Sequence, residues 1–187
     1  MAVLFVAFLS QAANPNPDPY DFQMFVVDDQ KIPDALNYRK DWARLTGFEH
    51  SGLHWGQFVI VYTNVGEKTY RHNYLQYASW FDDPDDEDNI PSYDSYPVGT
   101  VLLKENFSVK NGKPDTPLTI AAMIKRASGF DPKGGDWEYI QLDVDGKVLL
   151  KGSSRQPEVH KNCGECHINV SDRDFVFANF YSNIKAP

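Results

Sequence analysis

The sequence predicts an α+β fold, an antiparallel sheet of about five strands with flanking helices and a cysteine-bearing C-terminal segment. Three observations carry this. Apolar runs separated by turn signals fill the second half of the chain, whereas helical patterns are confined mainly to the first half. The only two cysteines stand together near the end, in Cys163-Gly164-Glu165-Cys166-His167. At 187 residues the chain reads as one domain, large enough to bury a core around a sizeable ligand.

In chain order, residues 1–13, MAVLFVAFLSQAA, form an apolar run too short to span a bilayer. The run ends in small residues that allow cleavage near Ala12, as in a secretory signal, although a basic n-region is missing. NPNPDPYD follows as a proline-rich linker within an N-terminal arm, 14–32, ahead of a main domain over 33–187. Pro33 and Asp34 start a helix expected to run to about Leu45, burying Leu36, Trp42, Ala43 and Leu45. A glycine-punctuated loop holds His50, Gly52, His54 and Gly56. Phe58–Tyr62, FVIVY, is a continuous apolar run bounded by Gly56 and Asn64 and reads as a buried strand. Glu67–Ala78 reads as a second helix with Tyr70, Tyr74 and Tyr77 on its inward face.

Asp82–Tyr96 is acidic, carries Pro84 and Pro91, and has little to bury, so an exposed loop is expected. Val98–Val109 and Thr116–Arg126 are strand-like and joined by NGKPD, an Asn-Gly turn signal. Asp136–Asp143 is a further strand, and Asp145-Gly146 turns the chain into Lys147–Leu150. Gly152–Asn162 reads as an irregular approach to the cysteine motif, and Asp172–Tyr181 as a short closing helix.

Composition excludes several classes of partner. The net charge of −8, concentrated partly in Asp82–Asp88, argues against nucleic acid or an anionic membrane surface. No stretch after the start is long and apolar enough for a membrane helix. Aromatic residues make up 14% of the chain, which suits a porphyrin pocket and equally a β-rich core.

CxxCH is the attachment signature of a c-type haem. The thiols of Cys163 and Cys166 each form a thioether to one vinyl group, and His167 supplies an axial nitrogen to the iron. Rival readings of a CxxC pair fit less well. Zinc needs four ligands, and His160, Cys163, Cys166 and His167 nominally supply them, but adjacent Cys166 and His167 reach one tetrahedral ion poorly. A thioredoxin-like motif follows an early strand in a βαβ setting, and this one lies at the far end of the chain. Export fits the motif, since haem is attached outside the cytoplasm in most bacteria; the expected location is the periplasm. Strands before a C-terminal CxxCH also set the chain apart from the helical carrier cytochromes and the four-helix cytochromes c′.

From Tyr96 to Tyr181 the residues resemble the cytochrome P-460 family, which includes the cytochromes c′-beta. YPVGTVLLKENF resembles its Pro-x-Gly-Thr, β-branched run and Lys-Glu; KRASGFDPKGGDWEYIQLD resembles its second sheet segment; and NCGECH with DRDFVFANFY resembles its haem segment. The resemblance implies a five-stranded antiparallel sheet with helices, often a homodimer, holding a haem c ligated on one side by histidine. It also singles out Lys104, because hydroxylamine-oxidising members bond a lysine at the matching place to a haem meso carbon. Read alone, a strand lysine is an ordinary solvated side chain. Alternation puts Val101, Leu103 and Phe107 on one face, with Thr100, Leu102, Lys104 and Asn106 on the other. A lysine beside a porphyrin is desolvated, which favours the neutral, nucleophilic amine.

The catalytic residues are not legible in the sequence. Glu158, His160, His50 and His54 are candidates for a proton-accepting group on the open side of the haem, and Met123 for a sixth ligand. The expected activity is oxidation of hydroxylamine to nitrogen oxides, with electrons passing to a redox partner such as another cytochrome. The alternatives are a nitric-oxide-binding protein of the c′-beta kind and an electron carrier ligated by Met123.

Overall fold

A computed structural model describes residues 25–54 and 56–182. The apolar start, the NPNPDPYD linker and Met24 lie outside the described residues. One antiparallel sheet of seven strands dominates. Its long strands are β3 (Gln57–Thr63), β4 (Val101–Lys110), β5 (Lys113–Lys125), β6 (Trp137–Asp143) and β7 (Val148–Ser153). These pair in sequence order from β3 to β7, and two short strands, β1 (Ala43–Arg44) and β2 (Glu49–Ser51), both add to β3. Chain-order pairing through tight turns is the simplest way for successive strands to satisfy their backbone groups. Asn111 and Gly112 turn β4 into β5 with φ of 52° and 72°, both in the left-handed region that a two-residue hairpin of this hand requires.

The sheet is covered on both faces. On one, Val101, Leu103 and Phe107 of β4 join Ile60, Tyr62, Ile120, Ile124, Ile140 and Leu142 in a closed core. Phe25, Val27 and Ile32, counted with the N-terminal arm in sequence, belong to the same core. Each such side chain contributes about 1.5–3 kcal/mol on full burial. On the other face, Leu102, Met123, Tyr139 and Leu150 pack with Tyr70, Val159, Val176 and Ala178.

Helix α2 (Glu67–Asp82) runs four residues beyond the expected Ala78. Tyr70 is its most buried tyrosine, donating its hydroxyl to the Phe180 carbonyl at 2.9 Å. The acidic loop is exposed and irregular up to Tyr96, which is buried.

Three expectations fail. The helix expected over 33–45 is a single turn, α1 (Tyr38–Asp41): Asp34 sits at φ 59°, and Trp42 is already extended. Leu36 is exposed in consequence, while Leu45 is buried in extended chain that bonds to Val61. The irregular approach is instead helical over 157–167, with His160–Gly164 wound as a π-helix. The closing helix is absent. A short turn, Ile168–Arg173, stops at Asp174 and Phe175, whose φ values of 51° and 64° send the chain into extended structure.

Candidate cofactor site

The interruption at Asp174 and Phe175 builds the site. Asp174 accepts from Lys125 Nζ at 2.6 and 2.8 Å, and from the Tyr96 amide at 2.7 Å. Its carbonyl accepts from the Trp137 indole at 2.8 Å. The segment is thereby fixed to β5 and β6, and the Phe175 carbonyl lies 2.6 Å from His167 Nδ1. A carbonyl can only accept, so Nδ1 carries the proton and Nε2 is left as the free electron pair. Gly135 permits this packing: a Cβ there would lie 2.4 Å from the Phe175 ring. Tyr139 and Phe177 hold the imidazole edge-on from two sides, with ring centroids 5.5 and 5.4 Å away.

His167, Cys163, Cys166 and Lys104 all line one cavity of about 450 Å³. That is within the roughly 300–1,000 Å³ range of cofactor and ligand pockets. Much of its wall is apolar, including Val59, Val61, Leu102, Ala121, Val176 and Phe180. Both cysteines are free thiols. Burial pushes the Cys163 thiol up to about 11, with the Lys104 charge acting against the shift.

Strand register orders the cavity floor in three rows. Tyr139 pairs with Met123 and Met123 with Leu102, forming the row beneath His167. The middle row is Val61, Lys104, Ala121 and Gln141. The third is Val59, Asn106 and Thr119, with Glu49 opposite Val59 on β2. Lys104 thus faces the cavity as alternation predicts, beside the smallest side chain of its row, Ala121. Burial holds its ammonium down to about 7, and the Cys163 thiol acts in the opposite direction. It has no hydrogen-bond or ion-pair partner among the described residues.

Of the four candidate proton acceptors, the structure brings only His54 to the cavity. His50 points away from it, exposed and edge-on to Phe58 at 5.5 Å. Glu158 and His160 are exposed on the helical run. Glu49, which sequence reasoning missed, lines the cavity with Ser51. The signal was there in the period of two, since Glu49 and Ser51 flank outward His50, but the segment was read as a loop. Met123 lines the cavity in the row on the same side as His167 and packs with Tyr139 and Val176 in the core of that face.

A family model described as Cytochrome P460 matches residues 55–178. The chain belongs to the cytochrome P460 family. A search of curated proteins finds no match. Family membership implies a mono-haem c-type cytochrome, and the cavity fits that group. It presents a free imidazole nitrogen, two unpaired thiols at CxxCH spacing, and apolar walls with room between them. His167 would hold the iron, with Cys163 and Cys166 holding the ring. No helix among the described residues is long and apolar enough to cross a membrane.

Proposed function

We propose that this cytochrome P460 oxidises hydroxylamine to nitrogen oxides and passes the electrons to an external redox partner. The reading includes covalent attachment at Cys163 and Cys166, axial ligation by His167, and a third tie through Lys104. When bound, haem c supplies an iron coordination position and stores one electron at a time, so an external acceptor is needed.

The observation that carries the reading is Lys104. Its amine opens into the same cavity as the two thiols and His167, and burial brings it to about 7. The shift favours the neutral amine, which is the nucleophilic form a bond to carbon requires. A tie at that point would fix β4 to the ring, and distortion of the ring is one way in which a protein tunes haem.

Oxidation of hydroxylamine also releases protons, and a base must take them. The rows beyond Lys104 supply polar groups: Asn106, Thr119, Gln57, Glu49 and His54. Asn106 Nδ2 donates to both the Thr119 carbonyl and its hydroxyl at 3.2 Å. This polarity favours proton-coupled chemistry over the apolar gas-binding pocket expected for a nitric-oxide carrier. Met123, on the His167 side, gives little support to an electron carrier with methionine as sixth ligand. The apolar start of the chain supports export to the periplasm, and the resemblance supports a homodimer.

Peptide mass spectrometry tests the reading. A peptide containing Lys104 should stay joined to the Cys163 peptide, the ferrous protein should show a red-shifted band, and both should vanish in Lys104→Ala while hydroxylamine turnover falls. An ordinary c-type spectrum indifferent to Lys104→Ala rejects the third tie and, with it, the enzyme.

A further inference from the structure

Two of the residues that hold the His167 ring, Tyr139 and Phe175, also border a second and much smaller cavity. Its space is about 10 Å³, the room that one water takes. Ser154, Gly134 and Gly164 line it too, as do Lys133 and His160, which are exposed to solvent. The two glycines leave the room. A Cβ on Gly134 would lie 2.4 Å from Ser154 Oγ and 2.6 Å from Asp131 Oδ2, and one on Gly164 would lie 2.9 Å from Ser154 Cβ. The cysteine motif therefore packs directly against Ser154.

The polar groups at this place are short of partners. Tyr139 is 3% exposed, and its hydroxyl has no hydrogen-bond partner among the described residues. Burial, then the charges of Cys163, Asp131 and Asp174, push the phenol well above its ordinary range, so the hydroxyl keeps its proton and can donate. Asp131 is fully buried, and Ser154 Oγ donates to its Oδ2 at 2.6 Å. Ser154 thus spends its one proton on Asp131 and offers lone pairs to the cavity. A donor without an acceptor and a free acceptor, on the walls of one water-sized space, are what a buried water joins.

We infer that one buried water in this cavity accepts from the Tyr139 hydroxyl and donates to Ser154 Oγ, completing a strut Tyr139–water–Ser154–Asp131 that makes Tyr139 and Ser154 positioning residues for His167. Its consequence for the iron rests on the reading of His167 as the haem ligand. Every bond of the strut runs in one direction, each hydroxyl donating and accepting, so the bonds strengthen one another. The far end is firm. The Asp131 amide donates to Asp136 Oδ1 at 2.7 Å, and its carbonyl accepts from the amides of Gly134 and Asp136 at 2.9 and 2.8 Å. At the near end, the Phe175 carbonyl holds His167 Nδ1 at 2.6 Å, and the Tyr139 ring stands edge-on to the imidazole at 5.5 Å. A single bond at Nδ1 leaves the imidazole free to swing about it, and an anchored phenol closes that freedom. Outer supports of this kind set the orientation of a ligating histidine.

The test starts from Tyr139→Phe, which keeps the ring and removes only the hydroxyl. Denaturant unfolding of the holoprotein should show an unfolding constant raised roughly tenfold. Ser154→Ala should cost more, and the double variant less than the product of the two, because both lose the same water. In the ferrous holoprotein, the iron–histidine stretching band in resonance Raman should shift in each single variant. A crystal structure of the holoprotein should show an ordered water within hydrogen-bond distance of Tyr139 Oη and Ser154 Oγ. A Tyr139→Phe protein as stable as the unaltered one, or more stable, overturns the inference, since losing an unbonded buried hydroxyl costs nothing. Independent effects of the two substitutions, an unmoved iron–histidine band, or a cavity without water overturn it as well. Should Ser154→Ala fail to fold, Tyr139→Phe and the crystal structure decide. Haem that is absent, or not ligated by His167, overturns the haem reading instead, and the water and the unfolding constants still decide the strut.

Discussion

Strand β4 shows two solutions to burial on its two faces. On the closed face, Val101, Leu103 and Phe107 are covered by the chain itself, and the one charged residue, Glu105, is fully buried. Its carboxylate accepts from the Tyr38 hydroxyl, and from Arg39 Nε at 2.6 Å. On the open face the next residue, Lys104, is given a cavity and, among the described residues, no side-chain partner. A desolvated charge that is compensated serves the fold, whereas one left uncompensated is available for chemistry. Adjacent residues of one strand thus separate a charge used by the fold from one presented to the cavity.

The largest effect is expected at the ring attachment. Replacing both Cys163 and Cys166 by Ala should abolish the haem retained on a denaturing gel, and any residual band would place a third tie at Lys104. Next comes the closed face. Glu105→Ala removes a fully buried carboxylate that accepts from the Tyr38 phenol and from Arg39, and should cost on the order of 3 kcal/mol. Chemical denaturation should show that loss while haem content per folded molecule stays constant; loss of haem in step with stability would mean that the two faces are coupled.

Lys104 gives a smaller, pH-dependent effect on the chain expressed without haem. Its folded value of about 7 is depressed from an ordinary 10.5. Between those values the unfolded chain holds a proton that the folded chain does not, so stability rises with pH across that window. In Lys104→Met this rise should disappear from denaturant midpoints measured from pH 7 upward. Met123→Leu should matter least. As a volume-conserving core change it should cost less than about 1.5 kcal/mol and leave the visible spectrum unaltered. A changed spectrum would move Met123 from the core to the iron.

Much of the sheet was legible because each strand is bounded by its own turn signal, as at Asn111-Gly112 and Gly146. The alternation along β4 also assigned Lys104 to the correct face. Helices near the termini were not legible. Nothing in 33–45 announces that Asp34 takes a left-handed conformation, and the apolar period of 172–181 conceals the same break at Asp174 and Phe175. The break at Asp174 depends on partners far away in sequence, Lys125, Tyr96 and Trp137. His54 could be named as a candidate from the sequence, but could not be separated from His50, because a loop carries no period.

By itself the sequence determined the fold class and the family, and placed two thiols and an imidazole in one local motif. CxxCH is a local arrangement, two thiols and an imidazole within five residues, and strand alternation is local too. Only the tertiary structure decided which groups line the cavity. That choice depends on register between strands and on long-range bonds such as Asp174 to Lys125 and Tyr96, fixed by the packing of β4, β5 and β6 together. The same packing puts Met123 in the core, brings Glu49 and His54 to the cavity, and leaves Lys104 desolvated between them.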